Sequence, residues 1–290
     1  MQLCFDATRF GLGLKEAIEF AASKQIPAVE FTFDSFTTSA KSLKLSEQEA
    51  AYLADVDRLC RDNSIEVACI RLNGLLDVGD KKAVKQFHQM MQKMSLVTKA
   101  VGCKRISFSI NPTADANLIS SAADAINPML KQLEKVDVKL LLSLSTPATN
   151  RGRTLRQWRP MEPQEWRDLI AACPGLALSF SAADCVWQNI DYLRILPGLV
   201  AAIEHVEAND VEINRPVLVD SGLFGPLWWR YRRPGKGQLD WGQLIEALKL
   251  YDYQGKLSIQ LDDEFLGDAA DDLEDSLDES IKFLAPLVKY

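Results

Sequence analysis

The sequence predicts an α/β fold and, within that class, a single closed (β/α)8 TIM barrel that takes up residues 1–290. Two observations predict it. Eight short apolar runs alternate with longer stretches of helical periodicity, a rhythm typical of parallel strands joined by right-handed crossovers. The chain is also 290 residues long, a length that such a barrel reaches as one domain.

The candidate strands are 3–5, 28–31, 67–70, 105–110, 139–143, 176–180, 203–207 and 256–260. The candidate helices are 14–23, 47–62, 83–100, 118–133, 163–172, 241–250 and 273–288. An open doubly wound sheet is the alternative, and it would place a glycine-rich turn after its first strand. Gly11-Leu12-Gly13 lacks the third glycine of that turn, so the closed barrel is favoured.

The bulk composition excludes several classes of function. A net charge of −7 argues against general binding of nucleic acid, which favours a basic surface. No run approaches the roughly 18 apolar residues that span a bilayer, and the start MQLCFDATRF does not resemble a secretory signal. None of the six cysteines forms a C-x-x-C pair, which favours buried thiols in a reducing, cytoplasmic setting.

Functional groups of a barrel sit at the carboxyl ends of its strands. By strand alternation, His205 and Glu207 face the same side of the seventh strand. Glu207 is the candidate base because a carboxylate inside a barrel needs a partner or a ligand. Its expected partner is Arg230, Arg232 or Lys236. His205 would assist it as a catalytic residue, or it is a satisfied core histidine.

Three stretches resemble one family. Ala28-Val29-Glu30-Phe31 resembles the second strand of sugar isomerases and epimerases, and residues 174–184 resemble their sixth strand. The most specific stretch is WWRYRRPGKGQLDW at 228–241, followed by YQGKLSIQ at 253–260. The chain is therefore identified as resembling the xylose isomerase-like barrels over essentially its whole length. That family includes sugar-phosphate isomerases and epimerases, inosose dehydratase-like proteins and endonuclease IV-like proteins.

The resemblance implies a divalent metal on Glu, Asp, His and Glu residues of strands five to eight. The matching positions here are Ser143, Ser181, Glu207 and Gln260, and Asp184 stands where the family has the nearby His of D-x-x-H. Neutral hydroxyls and an amide are poor ligands for such a cation. We therefore expect a degenerate site and no metal cofactor. The alternative is Mn, Mg or Zn in a site rebuilt from Asp184, Glu207, Asp210 and Asp262.

Two hypotheses follow from the resemblance. In the first, the protein keeps isomerase or epimerase activity on a carbohydrate or sugar phosphate. In the second, it is non-catalytic and binds a carbohydrate or anionic metabolite, or it serves as the inactive subunit of a complex with an active paralogue. A homo-oligomer is a further candidate assembly. The candidate substrate-binding residues are Glu30, Ser143, Ser181, Asp184, Asp210, Trp229, Arg230, Arg232, Lys236 and Gln260. Four arginines at 151–159 form a further basic segment for which the resemblance offers no explanation.

Overall fold

The computed structural model describes residues 1–33, 44–112, 117–144, 160–267 and 269–289. Eight parallel strands close into a barrel in the order β1-β10-β7-β6-β5-β4-β3-β2, which confirms the predicted fold class. The barrel strands are β1 (Gln2–Asp6), β2 (Ala28–Phe33), β3 (Glu66–Leu76), β4 (Arg105–Ile110), β5 (Lys139–Ser143), β6 (Ala177–Phe180), β7 (Ile203–Ala208) and β10 (Lys256–Ile259). Each of them contains or overlaps one of the eight predicted runs.

Helices connect the strands on the outside of the barrel. They are α1 (Leu14–Ser23), α2 (Glu47–Asn63), α3 (Lys81–Ala100), α4 (Leu118–Glu134), α5 (Pro163–Ala172), α6 (Ala182–Trp187), α7 (Tyr192–Ile195), α8 (Arg215–Ser221), α9 (Trp241–Leu250) and α10 (Ala270–Val288). Side-chain caps fix several helix starts. Ser46 and Glu49 form a reciprocal capping box at α2, and Asp240 caps α9. No described helix is long and apolar enough to cross a membrane.

Strand β3 is irregular on both of its edges. Its pairing with β2 shifts register between Val29 and Glu30, and its pairing with β4 is interrupted between Arg71 and Leu75. Gly74, within that interruption, adopts a φ of +97°, a conformation that side chains disfavour. Such bulges re-aim side chains beside functional sites, and here they flank the arginine at the carboxyl end of the barrel.

A two-stranded antiparallel sheet follows β7, and the sequence reasoning missed it. It consists of β8 (Asp210–Ile213) and β9 (Trp229–Arg232), with Val211 opposite Tyr231. The Trp-Trp-Arg-Tyr-Arg run contributes β9, where alternation buries Trp229 and Tyr231 while Arg230 and Arg232 stay partly exposed. The arginines of 151–159 lie outside the described residues.

All six cysteines are buried free thiols, as the lack of paired spacing predicted. Burial raises the pKa of the Cys60 thiol to about 11 and that of Cys173 to about 11. These two groups are therefore protonated at neutral pH, and they behave as small apolar side chains in the core.

Candidate functional site

An arginine lies among carboxylates at the mouth, by which we mean the carboxyl-terminal end of the barrel strands. Arg71 at β3 donates from Nε to Glu30 Oε1 over 2.9 Å, and its Nη2 lies 2.6 Å from the same oxygen. Nη2 also lies 3.3 Å from Glu207 Oε2. Asp6, at the end of β1, faces the other terminal nitrogen of Arg71. We call these four residues together with His205 the Arg71 cluster.

Glu207 is held by neighbours from three other strands. Its Oε1 accepts hydrogen bonds from Ser143 Oγ at 2.8 Å and from Ser179 Oγ at 2.7 Å. Its Oε2 faces Arg71. The expectation that Glu207 pairs with Arg230, Arg232 or Lys236 was therefore wrong, because the guanidinium that reaches it comes from inside the barrel.

Glu30 is fully buried and saturated with donors. Its Oε1 takes both bonds from Arg71, and its Oε2 faces His205 Nε2 at 2.8 Å and Gln260 Nε2 at 3.2 Å. An ionised carboxylate only accepts hydrogen bonds, so Nε2 is the protonated nitrogen of His205. Among the described residues, Nδ1 of His205 has no hydrogen-bond partner. His205 thus orients Glu30.

Electrostatics inside the cluster move the pKa values of Glu30 and Asp6 in opposite directions. Burial opposes ionisation of Glu30, but Arg71 and His205 outweigh it and hold the pKa of Glu30 well below its ordinary value. Burial raises the pKa of Asp6 to about 6, with repulsion from Glu30 adding to the effect and Arg71 partly offsetting it. Burial alone would lower the pKa of Arg71, yet the surrounding carboxylates raise it well above its usual range. Arg71 is therefore a permanent cation.

Ser181 and Asp184 belong to a different, buried network. Ser181 Oγ donates to Asp184 Oδ2 at 2.6 Å and contacts Asn209 Oδ1 at 3.0 Å. Asp184 also accepts from Trp187 Nε1 at 3.0 Å and from the Tyr231 hydroxyl at 2.5 Å. Ser181 Oγ also caps α6 by accepting from the Asp184 backbone N–H, and the bond from Tyr231 fixes α6 against the β8–β9 sheet. The structure therefore does not bring Ser181 together with Glu207 and Gln260.

Asp210 organises the turn between β9 and α9. Its carboxylate accepts hydrogen bonds from the backbone of Val211, Gly235 and Leu239 and from Trp241 Nε1, over 2.8–3.1 Å. A Cβ on Gly237 would overlap this carboxylate. The chain approaches so closely here that only glycine fits. Asp210 thus has a structural role, and the Pro-Gly-Lys-Gly stretch of the motif packs around its carboxylate.

The basic side chains of the β9 region are paired with local acids. Glu212 forms ion pairs with both Arg230 and Arg232, and Arg232 Nε also bonds Asp263 Oδ2 at 3.0 Å. Lys236 Nζ lies 3.2 Å from Glu279 Oε2 on α10. The candidate substrate-binding residues Arg230, Arg232 and Lys236 are therefore each paired with a local carboxylate.

The Trp229 indole packs within the protein. It stacks on Trp187 with ring centroids 4.5 Å apart and meets Tyr231 edge-on at 5.3 Å. Only 6% of Trp229 is exposed. The structure therefore places the Trp229 indole in the core of the β8–β9 region, where its ring faces pack against other aromatic side chains.

Arg71 and Asp6 are the two cluster members that sequence reasoning missed. Both were visible as charges that end apolar strands: Arg71 follows Val67–Ile70 in the sequence VACIR, and Asp6 ends LCFD. The contacts of Arg71 with Asp6 and Glu207, however, depend on strand register and on how the strands are arranged around the barrel. Among the described residues, no group of three or more His, Cys, Asp or Glu side chains is arranged to hold a metal ion.

A closed parallel barrel with its polar cluster at the carboxyl ends of the strands defines an α/β barrel of the kind that places its functional site at that end. The family model for the xylose isomerase-like TIM barrel matches residues 18–287. The chain belongs to this family. No curated protein matches the chain in sequence.

Solved structures show the same architecture at low sequence identity. A D-psicose 3-epimerase crystallised in the presence of D-fructose is 12% identical with a TM-score of 0.73, and the match covers 100% of both chains. The IolI protein with a bound zinc atom is 16% identical with a TM-score of 0.73, covering 99% of this chain and 98% of the other. A xylose isomerase domain protein from Planctomyces limnophilus is 13% identical with a TM-score of 0.69, covering 99% and 97%. At these identities the likeness concerns the fold.

Proposed function

We propose that the protein binds a small carbohydrate at the mouth of the barrel and has weak or no metal-dependent isomerase or epimerase activity. The observation that carries the proposal is the position of Arg71, whose guanidinium lies between Glu30 and Glu207. A fixed organic cation there neutralises carboxylates that would otherwise attract a metal ion. The polar mouth remains suited to hydrogen bonding with sugar hydroxyls.

The donor set at the four inherited positions supports the same reading. Ser143 and Glu207 bond to each other, Ser181 bonds to Asp184, and Gln260 donates to Glu30. Only one of the four positions carries a carboxylate, and its Oε2 faces Arg71. A divalent cation prefers several anionic oxygens and would be repelled by a guanidinium at this distance. These residues do not fit the family's metal.

A rebuilt metal site is the competing account, and the geometry counts against it. Asp184 and Asp210 would be needed as ligands, yet both are fully buried and accept several hydrogen bonds from buried donors. Recruiting them would compete with the hydrogen bonds from the Tyr231 hydroxyl and Trp241 Nε1, and losing such a bond to a buried group costs about 1–3 kcal/mol.

A role as one subunit of a homo-oligomer, or as the inactive partner of an active paralogue, is a second candidate. The observation that favours it is a set of exposed apolar side chains after β8. They are Val219, Leu223, Phe224 and Leu227, which are between 57% and 82% exposed. Light scattering on the purified chain tests the homo-oligomer. The mass of a single chain would exclude the homo-oligomer and leave the complex with a paralogue as the remaining form of this candidate.

Calorimetric titration with a panel of neutral ketoses, aldoses and cyclitols tests carbohydrate binding. We expect at least one sugar to bind with the same affinity in the presence of EDTA as in the presence of Mn²⁺. Glu207→Gln should weaken that binding, whereas Glu279→Gln on α10 serves as a matched control distant from the cluster. Binding that requires added metal, or turnover of a sugar only with metal present, would contradict the proposal.

A further inference from the structure

One edge of the Arg71 cluster is incomplete. Arg71 donates from Nε to Glu30 and from Nη2 to Glu207, while Nη1 makes no hydrogen bond to any described residue. Nη1 instead lies 3.7 Å from Asp6 Oδ2, which exceeds the length of an N–H···O hydrogen bond. The Asp6 Oδ1 atom is occupied, because Thr8 donates to it from both its backbone and its hydroxyl. Oδ2 has no such donor among the described residues.

This gap is accessible from the mouth. The Arg71 side chain is 20% exposed and that of Asp6 is 11% exposed, whereas Glu30 and Glu207 are almost completely enclosed. Arg71 and Asp6 are therefore the two acidic or basic members of the cluster that are partly exposed to a ligand in the mouth.

We infer that Arg71 Nη1 and Asp6 Oδ2 form a subsite for the hydroxyl groups of an uncharged polyol or sugar, and that this subsite rejects phosphate esters and sugar acids. The inference rests on the proposed function and names the ligand class of the same site. A hydroxyl fits because it can accept a hydrogen bond from Nη1 and donate its own proton to Oδ2. One hydroxyl oxygen about 2.8 Å from each atom satisfies both.

Other ligand groups fit only half of the subsite. A phosphate or carboxylate oxygen can accept from Nη1 but has no proton for Oδ2, and it brings its negative charge against that oxygen. A protonated amine can donate to Oδ2 but cannot accept from Nη1. Asp6 Oδ2 lies 3.7 Å from Arg71 Nη1, so an anion that bonds to Nη1 also comes close to a carboxylate oxygen that repels it. Asp262 acts on Arg71 as a further negative charge.

Paired titrations test this inference with D-fructose against fructose 6-phosphate and with D-ribose against ribose 5-phosphate. We expect the neutral sugar of at least one pair to bind the wild-type protein about tenfold or more tightly than its phosphate ester. Asp6→Asn should weaken binding of the neutral sugar. It should also bring the affinities for the neutral sugar and its phosphate ester closer together, because the charge that repels the ester is gone. Asp57→Asn, on the exposed face of α2, is the matched control.

The outcomes separate the two proposals. Tighter binding of a phosphate ester by the wild-type protein would overturn the hydroxyl subsite while carbohydrate binding survives. An affinity ratio unchanged by Asp6→Asn would also overturn it. Binding of none of the four compounds, together with none of the neutral panel, would sink the subsite and the proposed function alike. The wild-type comparison needs no variant, so it decides even if Asp6→Asn fails to fold.

Discussion

The Nη2 atom of Arg71 lies 2.6 Å from Glu30 Oε1 at the mouth of the barrel. Because Glu30 is completely buried, it depends on this contact for its charge balance. The same nitrogen reaches Glu207, so one guanidinium contacts carboxylates from β2 and β7, two strands that are not neighbours in the barrel. The cluster is therefore both a structural element of the interior and the polar floor of the proposed binding site.

Removing the guanidinium should destabilise the protein strongly. In Arg71→Met, Glu30 and Glu207 remain buried without their cation, and breaking such a buried arrangement typically costs about 3–5 kcal/mol. Urea unfolding measures the free energy of unfolding. Arg58→Met is the matched control, because Arg58 is 62% exposed and its ion pair with Asp55 should contribute about 0–1 kcal/mol. Equal losses in the two variants would show that Arg71 does not balance buried charge.

The raised pKa of Asp6 predicts a pH-dependent gain from neutralising it. The folded protein binds the Asp6 proton more tightly than the unfolded chain does, since its pKa rises from 3.8 to about 6. Ionised Asp6 therefore lowers stability, an effect that grows as pH rises from about 4 to 6 and is complete above 6. Arg71 on β3 and Glu30 on β2 are the charged groups that face it.

Asp6→Asn should accordingly be more stable than the wild-type protein at pH 8, by about 1–3 kcal/mol. That advantage should shrink by about 1 kcal/mol when the pH is lowered to 5. Urea unfolding of both proteins across this range gives the difference directly. An advantage that stays constant with pH, or one that grows on acidification, would contradict the assigned charge state.

The turn around Asp210 should tolerate no side chain at Gly237. A Cβ in Gly237→Ala would overlap Asp210 Oδ1 and the Val211 carbonyl, so we expect a loss of about 1–3 kcal/mol. Gly198→Ala is the control, because nothing lies within 4 Å of a Cβ at that position. Thermal unfolding followed by tryptophan fluorescence measures both variants. A harmless Gly237→Ala would remove the structural role assigned to Asp210.

The fold could be predicted from the sequence because each barrel strand is a local apolar run, as in Val67–Ile70 or Arg105–Ile110. The site could be predicted only in part. Glu207 and its hydroxyl partner Ser143 followed from strand alternation and from the family resemblance. Their bond joins residues 64 positions apart, and it depends on the placing of β5 and β7 on either side of β6.

The partner of Glu207 could not be predicted, for a physical reason. Arg71 reaches Glu207 across 136 residues of chain, and the register of β3 shifts next to Glu30. A pattern of alternating residues carries no information about such a shift. The nearby arginines of the 228–241 motif therefore looked like better partners, although Glu212 and Asp263 already pair with Arg230 and Arg232.

Metal titration of the purified, EDTA-treated protein is the most direct test of whether the Arg71 guanidinium stands in place of a metal ion at the mouth of the barrel. Calorimetry with Mn²⁺ and Zn²⁺, supported by elemental analysis of the untreated protein, gives the number of ions bound per chain. We expect far less than one tightly bound ion per chain. One ion per chain, lost on Glu207→Gln but retained in the surface variant Glu279→Gln, would contradict the proposal that Arg71 replaces the metal.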